Sequence, residues 1–362
     1  MEIRKTDKIY IAGHTGLVGS AILNDLTSKG YTNLIYKTHK ELDLCDINQV
    51  KKFFDNENPD IVILAAAKVG GIVANNTYRA DFIYNNLLIE LNIIGESFKH
   101  NVKKLLFLGS TCIYPKFANQ PINENELLTN ELEYTNEPYA IAKIAGLKLC
   151  ESFNIQYNTN FISVMPTNLY GPNDNFNLEK GHVLPVMIRK IHLANCLYNE
   201  DWELIRKDLN KRPIENINGN ANQLDIINVL EKYGIYSNEV ILFGDGSPLR
   251  EFLWSEDLAD AVTYILEHVN FKDTFNTNNE IKNCHINIGS GKEISIKQLS
   301  LLISNVLNYI GNIKWDINKP NGTPRKLCDV SKLNNLGWKH KVELNDGIKY
   351  LYKWYIDNLE EK

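Results

Sequence analysis

Long hydrophobic runs are missing from this sequence. Its 362 residues contain no stretch of about eighteen consecutive apolar residues, so no membrane span is expected. A dominant charge is also lacking. The chain sets 39 basic residues against 44 acidic ones, and a net charge of -5 offers nothing to a nucleic acid or an anionic membrane. Cysteine is scarce. The six present, at 45, 112, 150, 196, 284 and 328, show no C-x-x-C spacing and no clustering with histidine, so no metal site is expected. A cytoplasmic chain would keep them as thiols, and the charged start Met1–Lys8 leads straight into a strand with no apolar leader. No short repeat recurs. What remains is 44% hydrophobic and 23% charged, a globular composition in a chain long enough for one large domain or two ordinary ones.

Lys8 to Ala12 reads as a buried strand, and it runs directly into Gly13-His14-Thr15-Gly16-Leu17-Val18-Gly19 and then a helical pattern from Ser20 to Lys29. Strand, glycine turn and helix form the setting that a dinucleotide fingerprint needs. The first glycine allows the tight turn. The second lets the backbone approach a pyrophosphate, and the third lets helix and strand pack closely. The helix N-terminus then faces the anion. A second strand, Asn33 to Lys37, ends in Lys37-Thr38-His39-Lys40, with no acid before Glu41. An acid there would grip the 2′-hydroxyl of NAD, whereas basic residues suit the 2′-phosphate, so the turn favours NADP(H). Asp43-Leu44 is a candidate wall for the adenine.

Further strands are expected at Ile61 to Ala67, Lys104 to Leu108 and Asn160 to Met165, with helices at Asn85 to His100 and Tyr139 to Tyr157. The first helix carries an apolar face of Leu88, Leu91, Ile94 and Phe98. Strand-helix alternation argues for an α/β fold, a doubly wound parallel sheet of the Rossmann type. The expected division is a cofactor domain over 1–175, with a returning segment near 240–262, and a smaller α/β substrate domain over 176–362. Within the latter, 198–238 is rich in Asn, Asp, Glu and Lys. Its Leu224, Ile227, Val229, Leu230 and Tyr233 mark it as a helical insertion, a lid or a subunit contact.

Tyr139 and Lys143 lie one turn apart on one helix face. A phenol has a pKa near ~10, and a neighbouring ammonium favours the phenolate and lowers that value. The pair could exchange a proton with a carbonyl oxygen while a hydride moves to or from its carbon. Ser110 follows the strand Lys104–Leu108, at the sheet edge where ligands bind, and can share that oxygen.

These residues resemble the extended short-chain dehydrogenase/reductases that modify nucleotide sugars. The strings LAAAKVGGIVANNTYRADFIY (64–84), LLFLGSTCIYPK (105–116), TNEPYAIAKIAG (135–146), SVMPTNLYGPNDNF (163–176) and NGTPRKL (321–327) resemble the GDP-L-fucose synthase family over nearly the whole chain except 198–238. The resemblance implies a GDP-linked 4-keto sugar as substrate: GDP-4-keto-6-deoxy-D-mannose, epimerised at C3 and C5 and then reduced at C4 with NADPH. It implies Cys112 and His182 as the base and acid of epimerisation, with His182 also near the cofactor. Lys143 would hold the nicotinamide ribose, and Pro166, Thr167, Asn168 and Leu169 would line the cofactor. Substrate contacts are implied at Lys190, Phe243, Arg250 and Asn321, of which the Arg250 guanidinium suits a pyrophosphate. Thr15 and His39 stand where the family often has arginines for the 2′-phosphate. Lys37 and Lys40 can compensate, and NADH use stays open. The superfamily's usual homodimer would form through Asn85–His100 and Tyr139–Tyr157. Two alternatives stand beside this reading: a C4-reductase of a related GDP-4-keto-heptose, with or without epimerisation, and a non-catalytic NADP-binding protein.

Overall fold

Four apolar residues after Lys8 build the first strand, and each faces a different layer from its neighbour. Ile9 and Ile11 join one buried cluster and Tyr10 and Ala12 the other, as period-two side chains of a doubly covered strand must. The computed structural model describes residues 3–275, 280–319 and 321–359. Met1 and Glu2, at the head of the charged N-terminal stretch, lie outside the described residues. In chain order the elements are β1 (Ile9–Ala12), α1 (Leu17–Ser28), β2 (Leu34–Ile35), α2 (Ile47–Glu57), β3 (Ile61–Leu64), α3 (Ile72–Thr77), α4 (Arg79–Lys99), β4 (Lys104–Leu108), α5 (Glu137–Tyr157), β5 (Phe161–Pro166) and β6 (Asn168–Tyr170). Then come α6 (Val183–Tyr198), α7 (Trp202–Lys211), α8 (Gln223–Lys232), β7 (Glu239–Phe243), β8 (Leu249–Trp254), α9 (Ser255–His268) and β9 (Ile286–Ile288). The chain closes with β10 (Glu293–Ser295), α10 (Ile296–Val306), β11 (Asn312–Asp316), β12 (Arg325–Lys326), α11 (Ser331–Asn335) and α12 (Leu344–Asp357).

Two compact units result. The first comprises residues up to Leu169, Glu251–Lys292 and Leu327–Lys341. Its sheet has the order β2-β1-β3-β4-β5-β9, with every pair parallel. The order reverses between β1 and β3, the switch point at which open α/β sheets bind ligands. Residues of α1 and α9 cover one face, and residues of α2, α4 and α5 the other. Lys104 is buried inside this sheet. Its ammonium caps the C-terminus of α9, donating to the carbonyls of Ile265, Leu266 and Val269 at 2.8, 2.7 and 2.5 Å. β2 is shorter than the expected Asn33–Lys37, because only Leu34 and Ile35 pair with β1.

The second unit comprises Tyr170–Arg250, Glu293–Lys326 and 342–362. Helices α6, α10 and α12 supply its core through residues such as Ile188, Ile191, Ile303, Leu351 and Tyr355. The expected return near 240–262 starts later. β7 stays in the second unit, paired with β11, and the chain rejoins the first unit only at Glu251. A further return, Leu327–Lys341, brings α11 back as well. The insertion 198–238 is helical: α7, capped by Asp201, and α8, capped by Asn222. Among the described residues no helix is long and apolar enough to cross a membrane.

Candidate active site

The glycine loop is built by sterics. Gly13 adopts φ +90, and a Cβ there would lie 2.8 Å from the Ala66 backbone, so two turns meet closely at the switch point. A Cβ on Gly19 would lie 2.1 Å from the Gly13 carbonyl oxygen, so the start of α1 rests directly on the loop. Gly16 differs: its nearest neighbour would be 3.7 Å away. That space opens beside the N-terminus of α1, where Gly16 supplies no side-chain cap. Open space next to uncapped N–H groups fits a pyrophosphate. The His14 ring packs at a tilt of 35° against Tyr36, with ring centroids 4.6 Å apart, and Thr15, Leu17 and Val18 complete the loop.

Beyond β2, Glu41 accepts from both the Thr38 N–H and the Thr38 hydroxyl at 2.7 Å, and those bonds hold its carboxyl below the usual range. The first acid of the turn is thus engaged. Lys37, His39 and Lys40 are exposed around it, with His39 Nδ1 3.8 Å from Asp43. Thr167, between β5 and β6, and Asn168, which opens β6, are anchored on the Glu251 carbonyl at 3.4 and 2.8 Å and carry Pro166 and Leu169 on either side.

The structure brings four of the expected catalytic residues together. β4 delivers Ser110, whose Oγ accepts from the Cys112 N–H at 3.2 Å, and so fixes the loop with Cys112 half-buried. Tyr139 projects from the first turn of α5, beside Ser110 and Cys112. Lys143, one turn on, is 1% exposed. Its ammonium donates to the Leu108 carbonyl at 3.1 Å and lies 4.8 Å from the centre of the Phe107 ring.

One expectation fails here. Lys143 does not pull the Tyr139 pKa down; the phenol is held well above its ordinary value by desolvation first, then by Cys112 and Glu90, with only Ser110 opposing. Burial is the main cause, and Glu90 of α4, a residue not flagged from the sequence, adds to it. Its carboxylate is 1% exposed and pairs with the Lys143 ammonium at 3.1 Å. The positive charge is therefore matched before it reaches the phenol. Burial raises the Glu90 pKa, against the pull of Lys143. Gly146 makes room for the pair, since a Cβ there would lie 2.6 Å from Glu90 Oε2. The available signal was a stripe at helical spacing, Phe82, Asn86, Glu90, Ile93 and Ser97, all buried.

In the second unit, His182 is the residue before the first turn of α6, with no capping bond from its side chain, and desolvation lowers its pKa from the ordinary value. Lys190 follows on the same helix, buried, donating to the Ile241 carbonyl at 3.0 Å and lying 5.4 Å from the centre of the Phe243 ring. Desolvation brings its pKa down to about 8. Phe243, at the end of β7, is 60% exposed, and Lys319 approaches its ring at 5.5 Å. Sequence reasoning passed over Lys319, which had no motif to mark it. Asn321 accepts from the Asp245 N–H at 2.9 Å. Next to it Gly322, at φ +75, would meet the Arg250 guanidinium at 3.3 Å if it had a side chain. Lys190 and Lys319 thus flank one exposed ring, and the Arg250 guanidinium lies against Gly322, the residue after Asn321.

The NAD dependent epimerase/dehydratase family matches residues 9–213 and 216–289. The chain is 49% identical over 355 residues to GDP-L-fucose synthase 1 of Arabidopsis thaliana, covering 98% of this chain and 95% of the relative. It is 45% identical to GDP-L-fucose synthase of Escherichia coli K12, covering 97% of each. Among solved structures, a GDP-D-glycero-L-gluco-heptose synthase from Campylobacter jejuni, crystallised in the presence of NADPH, is 43% identical, with a TM-score of 0.90 over 98% of this chain and 99% of that one. The chain belongs to the NAD dependent epimerase/dehydratase family.

Proposed function

We propose that the protein is a bifunctional, NADPH-dependent enzyme that epimerises GDP-4-keto-6-deoxy-D-mannose at C3 and C5 and reduces its C4 ketone to give GDP-L-fucose. The observation that carries the reading is the cluster of Ser110, Cys112, Tyr139 and Lys143 at the end of β4 and the start of α5. Identity of 49% to a plant GDP-L-fucose synthase supports the substrate.

A proton beside a ketone is acidic because the enolate places its charge on oxygen. Ser110 and Tyr139 donate hydrogen bonds to that oxygen, and Tyr139 keeps its proton until the reduction step because its pKa is held high. Cys112 removes a proton from one face of the sugar, and His182 returns one on the other. NADPH, when bound, supplies the hydride that reduces C4. Tyr139 then protonates the alkoxide oxygen. Gly13 to Gly19, Lys37, His39, Lys143 and 166–169 are the residues to hold the cofactor, and the occupied Glu41 favours the 2′-phosphate. Arg250 and Lys190 suit the diphosphate, and Phe243 offers a ring for the guanine.

The partner is a GDP-sugar, with no nucleic acid or membrane involved. The six cysteines form no disulfide, which suits a reducing cytoplasm. A homodimer through α4 and α5 is supported by exposed Leu91, Ile155 and Tyr157 on those helices, and sedimentation at micromolar concentration would test it. A second reading, C4 reduction of a GDP-4-keto-heptose, is favoured by the 43% identity to the Campylobacter jejuni heptose synthase. Comparing kcat/KM for the two keto sugars with NADPH separates them. Preference for the 6-deoxy-mannose substrate upholds the first reading; preference for the heptose overturns it.

A further inference from the structure

The insertion is the largest feature to which the chemistry above gives no task. It makes three ties to the segment 174–182, which leads into α6 and ends on His182. First, Asp208 of α7 is fully buried and accepts from Arg189 of α6 at 2.9 and 2.7 Å. Tyr355 of α12 donates to the same carboxylate. Held in this way, Arg189 donates onward to the Phe176 carbonyl at 3.2 Å. Second, Arg212, at the end of α7, lies 5.0 Å from the centre of the Phe176 ring. Third, Tyr233, at the end of α8, donates to Glu179 at 2.6 Å and to Glu215 at 3.3 Å.

The segment has turns of its own. Asn177 Oδ1 accepts from the Glu179 and Lys180 N–H groups at 2.9 and 3.0 Å, and a Cβ on Gly181 would lie 2.3 Å from the Asn175 carbonyl oxygen. Those bonds shape the loop locally but tie it to nothing beyond itself. Outside anchors include the aromatic wall around Phe176, the Gly171 carbonyl, which accepts from the Asp174 N–H at 3.2 Å, and the three ties from the insertion. A group that must return a proton to one face of a carbon has to be held to within ~0.5 Å, by neighbours that are themselves fixed.

We propose that the insertion 198–238 is a positioning brace for His182, acting through Asp208–Arg189 and Arg212 on Phe176 and through Tyr233 on Glu179. The inference rests on the reading of His182 as the proton donor of epimerisation. It makes Tyr233 and Glu179 positioning residues, away from the reacting atoms.

The full-length protein would be incubated with GDP-4-keto-6-deoxy-D-mannose in heavy water without NADPH, and deuterium entry into the sugar followed by mass. In a separate assay, NADPH oxidation would be followed on the already epimerised ketone. Tyr233→Phe and Glu179→Ala each remove one tie and should slow deuterium entry about three- to tenfold. Reduction should stay within about twofold, since it needs no proton from His182. Amide exchange over 174–182 should rise in both variants. Glu179→Gln keeps an acceptor for the Tyr233 hydroxyl and should restore deuterium entry. Equal loss of both activities would mean a general structural defect, and no loss of either would mean an idle contact; both results overturn the brace. The unaltered protein separates the two levels. If it takes up no deuterium, the role of His182 fails and the brace with it; if it does while Tyr233→Phe matches it, only the brace fails.

Discussion

Replacing Glu90 by glutamine probes the buried charge beneath the catalytic tyrosine. The shape of the side chain is kept and its charge removed. Glu90 and Lys143 are each 1% exposed and 3.1 Å apart. At an effective dielectric constant of about 20 the gross attraction at that separation is roughly 5 kcal/mol, and desolvation of both groups offsets much of it. Breaking such a pair from one side costs about 3–5 kcal/mol, because a charge stays buried without its partner. The Leu108 carbonyl and the Phe107 ring still attend the ammonium, which places the loss near the lower end, about 3 kcal/mol in urea unfolding. The same change acts on Tyr139. The Glu90 charge helps to hold that phenol protonated, so its pKa should fall when the charge is gone. Reduction needs the protonated phenol, and its rate falls as pH rises through that pKa. The decline of kcat/KM on the alkaline side should therefore begin at lower pH in Glu90→Gln. A double-mutant cycle with Lys143→Met should give a coupling above about 2 kcal/mol in stability. A loss below about 0.5 kcal/mol together with an unmoved alkaline limb would refute the argument.

Other positions give independent checks. Gly16→Ala should leave the unfolding midpoint unchanged, because a Cβ there meets nothing closer than 3.7 Å, yet weaken NADPH binding more than about tenfold in titration calorimetry by filling the space for the pyrophosphate. Gly19→Ala should cost both stability and cofactor affinity, since its Cβ would lie 2.1 Å from the Gly13 carbonyl oxygen. Burial raises the Asp260 pKa, but Lys341, Lys29 and Trp338 outweigh it and bring the value from 3.8 down to about 2. That carboxylate adds stability above the unfolded value, and the contribution is lost as pH falls from 3.8 toward 2. Asp260→Asn should flatten the acid side of the stability profile across that window. Tyr139→Phe should lower the reduction kcat by about 10²–10⁴-fold, with NADPH binding retained.

The parts of the site that could be read from the chain are those set by neighbours in sequence. Gly13, Gly16 and Gly19 sit in one turn, and Tyr139 and Lys143 on one helical face, so spacing alone placed them. Glu90 escaped because it reaches Lys143 across two helices. Of the apolar face expected on that helix, Ile94 is buried and Phe98 packs on the core, but Leu91 is 52% exposed, whereas Glu90 is buried. The same limit hid the Lys104 cap on α9, made across the sheet from 161 to 165 residues away. It also hid the pairing of β7 with β11, which kept 239–250 out of the large sheet. Of the stripe that marks the insertion as helical, Val229 and Leu230 are buried as their spacing implies, whereas Leu224 is 67% exposed. The insertion's connection to Phe176 and Glu179 needed the folded chain.

The most direct test of the whole account is the mass of the sugar product formed from GDP-4-keto-6-deoxy-D-mannose and NADPH in heavy water. The account requires nicotinamide oxidation with two carbon-bound deuteriums gained, at C3 and C5. Reduction with no deuterium gained would contradict it, because Cys112 and His182 would then move no protons and the protein would be a simple C4-ketoreductase.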